Sequence, residues 1–312
     1  MFVAFLPLLA VTHALTFLLC CWGGTRPATS PSSRHRPPTP PASPVVRYGD
    51  IMIATPRPAT GRSPARRAWI PRQHGAWAML LLPVLLGIAA SRPSAWHLAL
   101  GAAALTAYLA SASLQGWSRA RRPPALLAPV VVYTTVFGIL GLGLIVAFPA
   151  LALVLVVVGP TAAIVFGGAR PGTRRDLANS VAQVVQALVL VPAAAWVSGE
   201  FDVQRVMLYT LVATGYLLGT VLVVRSVLRE RGNERFALIS VGFHLCLVAL
   251  SALALPLAYT VVGAFLAARA AALPVLQRRW SSGPHPLRPV HVGIVEIVAS
   301  TAVIVIAFAA PI

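Results

Sequence analysis

Few residues in this chain are equipped for chemistry, and most of them stand in apolar surroundings. Glu296 lies nearly two turns into an apolar run near the C-terminus, with His291 beside its start. A carboxyl group at membrane depth needs a partner or a proton. Glu296 therefore reads either as a functional acid or as one half of a salt bridge to a neighbouring arginine. His244 lies two turns into another apolar run, either facing a cavity or satisfied within the core. His74 sits at the polar start of WIPRQHGAWAMLLLPVLLG (69–87), with Trp77 where that stretch turns apolar. An interfacial histidine bonded to headgroups and a site residue at a helix mouth are both open for His74.

Two further stretches carry spaced polar groups. RRDLANSVAQVVQ (174–186) has Asp176, then Asn179, Gln183 and Gln186 at three- and four-residue steps. That spacing puts the amides on one helical face, suited to interhelical hydrogen bonds or a polar cavity, while Asp176 in the first turn also suits the helix dipole. VRSVLRERGNER (224–235) places Arg225 and Arg229 one turn apart, Glu230 and Glu234 likewise, and Gly232-Asn233 as the break. Clustered arginines clamp a phosphate or carboxylate, hold anionic lipid, or enforce topology. The candidate ligand-binding set is thus His74, Trp77, Asp176, Asn179, Gln183, Arg225, Arg229, His244 and Glu296. The sequence contains no Gly-rich phosphate loop, no Cys/His metal cluster and no hydrolase triad, and it names no cofactor.

The elements that must position these residues are membrane helices. Only 10% of the residues are charged and 58% are hydrophobic, and the mean hydropathy is +0.80. Soluble domains carry about 25% charged residues. The net charge of +18 rests on 25 arginines and no lysine. Fifteen of these arginines fall in short connections between apolar runs and nine precede the first of them, so membrane topology explains the charge better than nucleic acid does. Of the three cysteines, Cys20 and Cys21 adjoin each other, and Cys246 reads as a small core residue of an apolar run.

Segments long enough to cross a bilayer, about 17–25 residues, are expected at about 75–91, 95–115, 125–147, 150–167, 177–198, 205–224, 236–254, 256–276 and 290–310. Phe148-Pro149 and Leu255-Pro256 divide runs too long for one helix. The fold class is an all-α polytopic membrane bundle of nine transmembrane helices, occupying residues 69–312. Alternate connections hold thirteen arginines on one side and two, Arg92 and Arg205, on the other. The positive-inside rule puts the rich side in the cytoplasm and the C-terminus outside, in the cell inner (plasma) membrane. Residues 1–22 are apolar without a basic lead, and residues 23–68, rich in Pro, Ser, Thr and Arg, are expected to be disordered. They read as an extra helix, an odd signal, or sequence before a true start at Met52 that is dispensable for folding.

The segments RQHGAWAMLLLP, RRDLANS, VRSVLRERGN and RPVHVGIVEI resemble the YwiC-like family of bacterial multi-pass membrane proteins over about 69–310. The resemblance implies a membrane location and brings no established activity with it. In architecture, nine helices with polar loops between helices 2–3 and 6–7 are similar to the UbiA superfamily of membrane prenyltransferases. That superfamily carries aspartate-rich, magnesium-holding motifs in these loops. Here 112–124 contains no carboxylate, and 224–240 has only Glu230 and Glu234 amid arginines. The expected function is binding of a lipid-like or small anionic ligand in a polar cavity open to the cytoplasm. A divergent prenyltransferase and a proton-coupled transporter are the alternatives. The candidate residues should converge in one cavity, with Asp176 and Arg225 facing each other or a common ligand.

Overall fold

The computed structural model describes residue 69 and residues 76–120, 123–167, 177–280 and 289–312. His74, Asp176 and the whole of 1–68 lie outside these described residues, and Trp77 is described only as helical backbone. Among the described residues the regular structure is entirely helical. In hydrocarbon no water is available to pair backbone N–H and C=O groups, and a helix pairs them within itself.

Nine helical segments follow one another: α1 (Ala76–Ala89), α2 (Trp96–Arg119), α3 (Leu127–Ala147), α4 (Val154–Gly167), α5 (Leu177–Val197), α6 (Val203–Leu228), α7 (Glu234–Ala254), α8 (Leu257–Trp280) and α9 (Pro289–Ala309). Eight spans are long and apolar enough to cross a membrane, one of them joining α4 to the short 3-10 turn Pro149–Leu153 before it. The described apolar part of α1, Met79–Ala89, is shorter. The breaks at Phe148-Pro149 and Leu255-Pro256 stand where the sequence reading puts them. The helices α2, α6 and α8 run about one turn further than hydropathy alone suggests, to Arg119, Leu228 and Trp280. Hydrogen bonding along a helix does not stop at the edge of the hydrocarbon, and long arginine side chains carry their charge outward from it.

Local chemistry explains the joints. Within α5 the helix breaks between Leu188 and Leu190. Pro192 has no N–H to donate to the Leu188 carbonyl, so the ladder is interrupted there. Asp202 caps α6, its Oδ1 accepting from the N–H groups of Gln204 and Arg205 at 2.9 and 3.2 Å. Between α6 and α7, Gly232 adopts φ +79°, a left-handed conformation open to glycine, and Asn233 then caps α7 through the Phe236 N–H at 3.2 Å.

Side-chain bonds show which helix ends share a level. At one end Arg92 pairs with Glu200 at 2.9 Å, and Arg205 Nε donates to the Ile312 carbonyl at 3.1 Å. At the other end Arg278 pairs with Glu234 at 2.6 Å, and the Tyr133 hydroxyl donates to the Trp69 carbonyl at 2.9 Å. These pairings are those of helices that alternate in direction, and among the described residues they bring the end of α8 and the start of α7 to one level.

The centre of the bundle is α6, which packs against α1, α5, α7, α8 and α9. In α5 and α6, 61% of the apolar window is buried, against 6% in α3, so α3 is a peripheral helix. Leu82 and Leu86 of α1, Val184 and Val191 of α5, and Tyr209 and Leu217 of α6 form the main core. The exposed Ile139, Leu142, Leu253 and Leu257 form the surface that hydrocarbon solvates. Cys246 belongs to that surface: it is exposed on α7, not a core residue, because the buried stripe of α7 runs instead through Phe236, Ser240, His244 and Ser251.

Candidate functional site

The densest buried polar cluster lies between α6, α8 and α9. Arg269 stands near the middle of α8 and is 5% exposed, and Glu296 of α9 is 3% exposed. Arg269 Nη1 donates to Glu296 Oε2 at 2.6 Å. The same oxygen accepts from the Thr220 hydroxyl at 2.9 Å and, more weakly, from the Tyr216 hydroxyl at 3.5 Å. Tyr216 also donates to the Glu296 main-chain carbonyl at 3.1 Å, and its ring centroid lies 5.9 Å from the Arg269 guanidinium carbon. Tyr216 and Thr220 are one turn apart on α6, so one face of that helix presents both hydroxyls to α9. Glu296 lies seven residues into its helix, roughly 10 Å below the arginine-rich end by helical rise. Such a pair in hydrocarbon has lost several kcal/mol of hydration per ion, about as much as its attraction returns. Glu296 Oε1 and Arg269 Nε and Nη2 have no hydrogen-bond partner among the described residues.

On the adjoining face His244 of α7 is 1% exposed, and its Nδ1 donates to the Ser240 carbonyl at 2.7 Å. The ring lies against Gly219, where an added Cβ would meet Nε2 at 2.7 Å. Glycine here gives the imidazole its place next to Thr220.

A second buried histidine is structural in its geometry. His97 of α2 accepts at Nδ1 from the Ser94 N–H at 2.8 Å and donates from Nε2 to the Ala194 carbonyl of α5 at 2.9 Å. It ties α2 to the half of α5 beyond the break. On the neighbouring side Gly87 of α1 lies so close that an added Cβ would be 2.5 Å from the Val191 carbonyl oxygen. Glycine and alanine at this crossing let the backbones approach.

This α1–α5 region coincides with a known family. The model of the YwiC-like protein family matches residues 70–195. The uncharacterized protein YwiC of Bacillus subtilis (strain 168) is 34% identical over 191 residues, which is 60% of this chain and 78% of that relative. The chain belongs to the YwiC-like family. The chain has no significant match among solved structures. It is a YwiC-like multi-pass membrane protein, and the residues matched by the family model end before the buried pair, which stands on α8 and α9.

In this YwiC-like chain a cleft of about 270 Å³ opens at the arginine-rich end, where α6 and α8 finish and α7 begins. Ser226, Glu230, Arg231, Asn233, Gln277 and Arg278 are among its lining residues. Arg231 Nε donates to the Val227 carbonyl at 3.3 Å, and Glu230 is held by Arg225 at 3.3 Å and by the Asn233 amide at 3.2 Å. Gln277 is buried, and its Oε1 has no hydrogen-bond partner among the described residues. Pro274 also lines the cleft; it removes one rung of the α8 ladder there.

The structure thus separates the residues nominated from sequence into groups. Glu296 is joined to Arg269, Thr220 and Tyr216, with His244 on the adjoining face. Arg225 and Arg229 stand at the end of α6, where Arg225 pairs with Glu230 and lies over the Phe236 ring. Asn179 is buried and Gln183 half-buried on α5. Asp176, the proposed counterpart of Arg225, lies with His74 outside the described residues. Sequence reading passed over Arg269, which sits in the apolar run LAARAAALP as a single charge. The available signal was reciprocal: one carboxylate in one span asks for one cation in another. His97, Tyr216 and Thr220 gave no comparable signal, since only packing shows what they touch. Among the described residues no group of three or more His, Cys, Asp or Glu is placed to hold a metal ion.

Proposed function

We propose that this protein binds a small anionic or lipid-like molecule in the cleft at its arginine-rich end, and that this end faces the cytoplasm with the C-terminus outside. The observation that carries the reading is the cleft itself, about 270 Å³ and lined by Arg231, Arg278, Asn233 and Gln277. That volume lies just below the range of about 300–1,000 Å³ for sites enclosing drug-sized ligands. It suits a headgroup whose tail stays in the bilayer. The Arg278–Glu234 pair at the cleft is exposed, so it costs little to exchange. An incoming phosphate or carboxylate competes with Glu234 for the Arg278 guanidinium, whose planar donor fork matches such oxygens. Gln277 Oε1, without a partner among the described residues, supplies an acceptor beside it, suited to a hydroxyl of the same molecule. The arginine bias between alternate connections supports the orientation.

Native mass spectrometry of the full chain purified from bacterial membranes tests this. A retained ligand is expected on the native protein. It should be lost in Arg278→Ala and Arg231→Ala and kept in Arg92→Ala, at the opposite end. Wild-type protein that carries no ligand through several detergents overturns the reading.

A further inference from the structure

We infer that Glu296 is a reversible proton-binding site in the interior of the membrane, poised by Arg269. The geometry divides the two carboxylate oxygens unequally. Oε2 takes the Arg269, Thr220 and Tyr216 donors, while Oε1 is buried without a partner among the described residues. A carboxylate kept for stability alone gains by satisfying both oxygens, because an unmet acceptor in hydrocarbon forfeits its whole hydration. Oε1 is therefore the free acceptor of the site. Glu296 and Arg269 are both almost fully buried, so a proton is the ligand that enters without rearranging the helices.

The groups facing Glu296 are few. From α6 come Tyr216 and Thr220, and from α8 comes Arg269. His244 of α7 stands against Gly219, one residue from Thr220. Helix α1 also packs on α9, and its described side chains, from Met79 to Ala89, include no ionisable group. Among the described residues one carboxylate is thus balanced by one guanidinium. When a proton from the aqueous side joins Oε1, the carboxyl becomes neutral and the Arg269 guanidinium loses its counter-charge, an opposing cost that makes the step reversible. Arg269 keeps its charge, and its contact with Oε2 falls from an ion pair to a hydrogen bond. The reverse step returns the proton and restores the pair.

Access to this site is restricted. Val223 and Val227 of α6, Ala270 and Leu273 of α8, and Val292 of α9 form one buried apolar cluster. By helical register Val223, Ala270, Leu273 and Val292 lie between the Ser226–Gln277 level of the cleft and the Thr220–Arg269–Glu296 level below it, and Val227 stands beside Ser226 at the level of the cleft. They form an apolar plug between the arginine-rich end and the carboxylate, so a proton passes only when the plug loosens. The inference does not depend on what the cleft binds.

Dicyclohexylcarbodiimide tests it, because this reagent enters apolar regions and modifies carboxyl groups only when they are protonated. The full chain in detergent is treated across a pH series, and the adduct is located by peptide mass. Glu296 should be modified, with a rate that falls by up to about tenfold per pH unit once the carboxyl is mostly ionised. Arg269→Gln should be modified faster at neutral pH, Glu296→Gln should carry no adduct at this peptide, and Arg92→Ala, at the opposite end of the bundle, should behave as wild type. Thermal unfolding at each pH confirms that the protein stays folded. If folded wild-type protein leaves Glu296 unmodified throughout, or modifies it at a rate independent of pH, the carboxylate is a fixed structural ion and the inference fails.

Discussion

At the scale of single residues, the Arg269–Glu296 pair sets the largest energetic stakes. Each ion is tolerable only because the other is 2.6 Å away. Removing one partner leaves a bare charge in the interior, at a cost of about 3–5 kcal/mol. Arg269→Ala and Glu296→Ala should each lower the thermal unfolding temperature in detergent sharply. The double replacement Arg269→Met with Glu296→Met should recover most of that loss, because no charge then remains to be desolvated. A double variant as unstable as the sum of the singles would contradict this account. His97 has a smaller role. His97→Ala loses the bonds to Ser94 and Ala194, leaving the Ala194 carbonyl short of a donor, and should cost about 1–3 kcal/mol in the same measurement.

At the scale of elements, the α1–α5 crossing is the least forgiving contact. A methyl group at Gly87 would meet the Val191 carbonyl oxygen and the Ala194 Cβ, each at 2.5 Å, and main chain cannot turn aside as a side chain can. Gly87→Ala should destabilise the fold by about 1–3 kcal/mol, the usual cost of overfilling a packed interior. Gly101 of α2 has nothing within 4 Å of its added Cβ, and Gly101→Ala should be neutral or slightly stabilising. Comparing the two variants by thermal unfolding separates packing from helix propensity. At the start of α6, Asp202→Ala removes the acceptor for two N–H groups and should cost about 1 kcal/mol, seen as lower protection of Gln204 and Arg205 in hydrogen exchange.

At the scale of the whole molecule, the alternation of helix direction and the arginine bias make a joint prediction. With the native cysteines replaced, a cysteine at Ser118 should react with a membrane-impermeant thiol reagent only from the cytoplasmic side, and one at Ser198 only from outside. Ser118 lies near the end of α2 at the arginine-rich face, and Ser198 follows α5 at the opposite face. Labelling of both from one side would break the alternating arrangement, and reversed labelling would invert the molecule.

Much of the molecule was legible before any fold was known. The spans follow from hydropathy because hydrocarbon admits only long apolar helices, and the breaks at Pro149 and Pro256 follow from the missing N–H of proline. The expectation that the arginine-rich connections share one side follows from counting charges between spans. Which polar residues meet is a different matter. Glu296 was visible as a carboxylate in need of a partner, but Arg269 lies 27 residues away on another helix. Its contact depends on the rotation of α8 and α9 about their axes, which local composition does not encode. Cys246 and His244 show the same limit two residues apart: one faces outward and the other is buried, because packing against α6 and α8 selects the buried stripe of α7. Helix–helix contacts in a membrane rest on close fit and small residues such as Gly87 and Gly219, and that fit exists only once the helices are assembled.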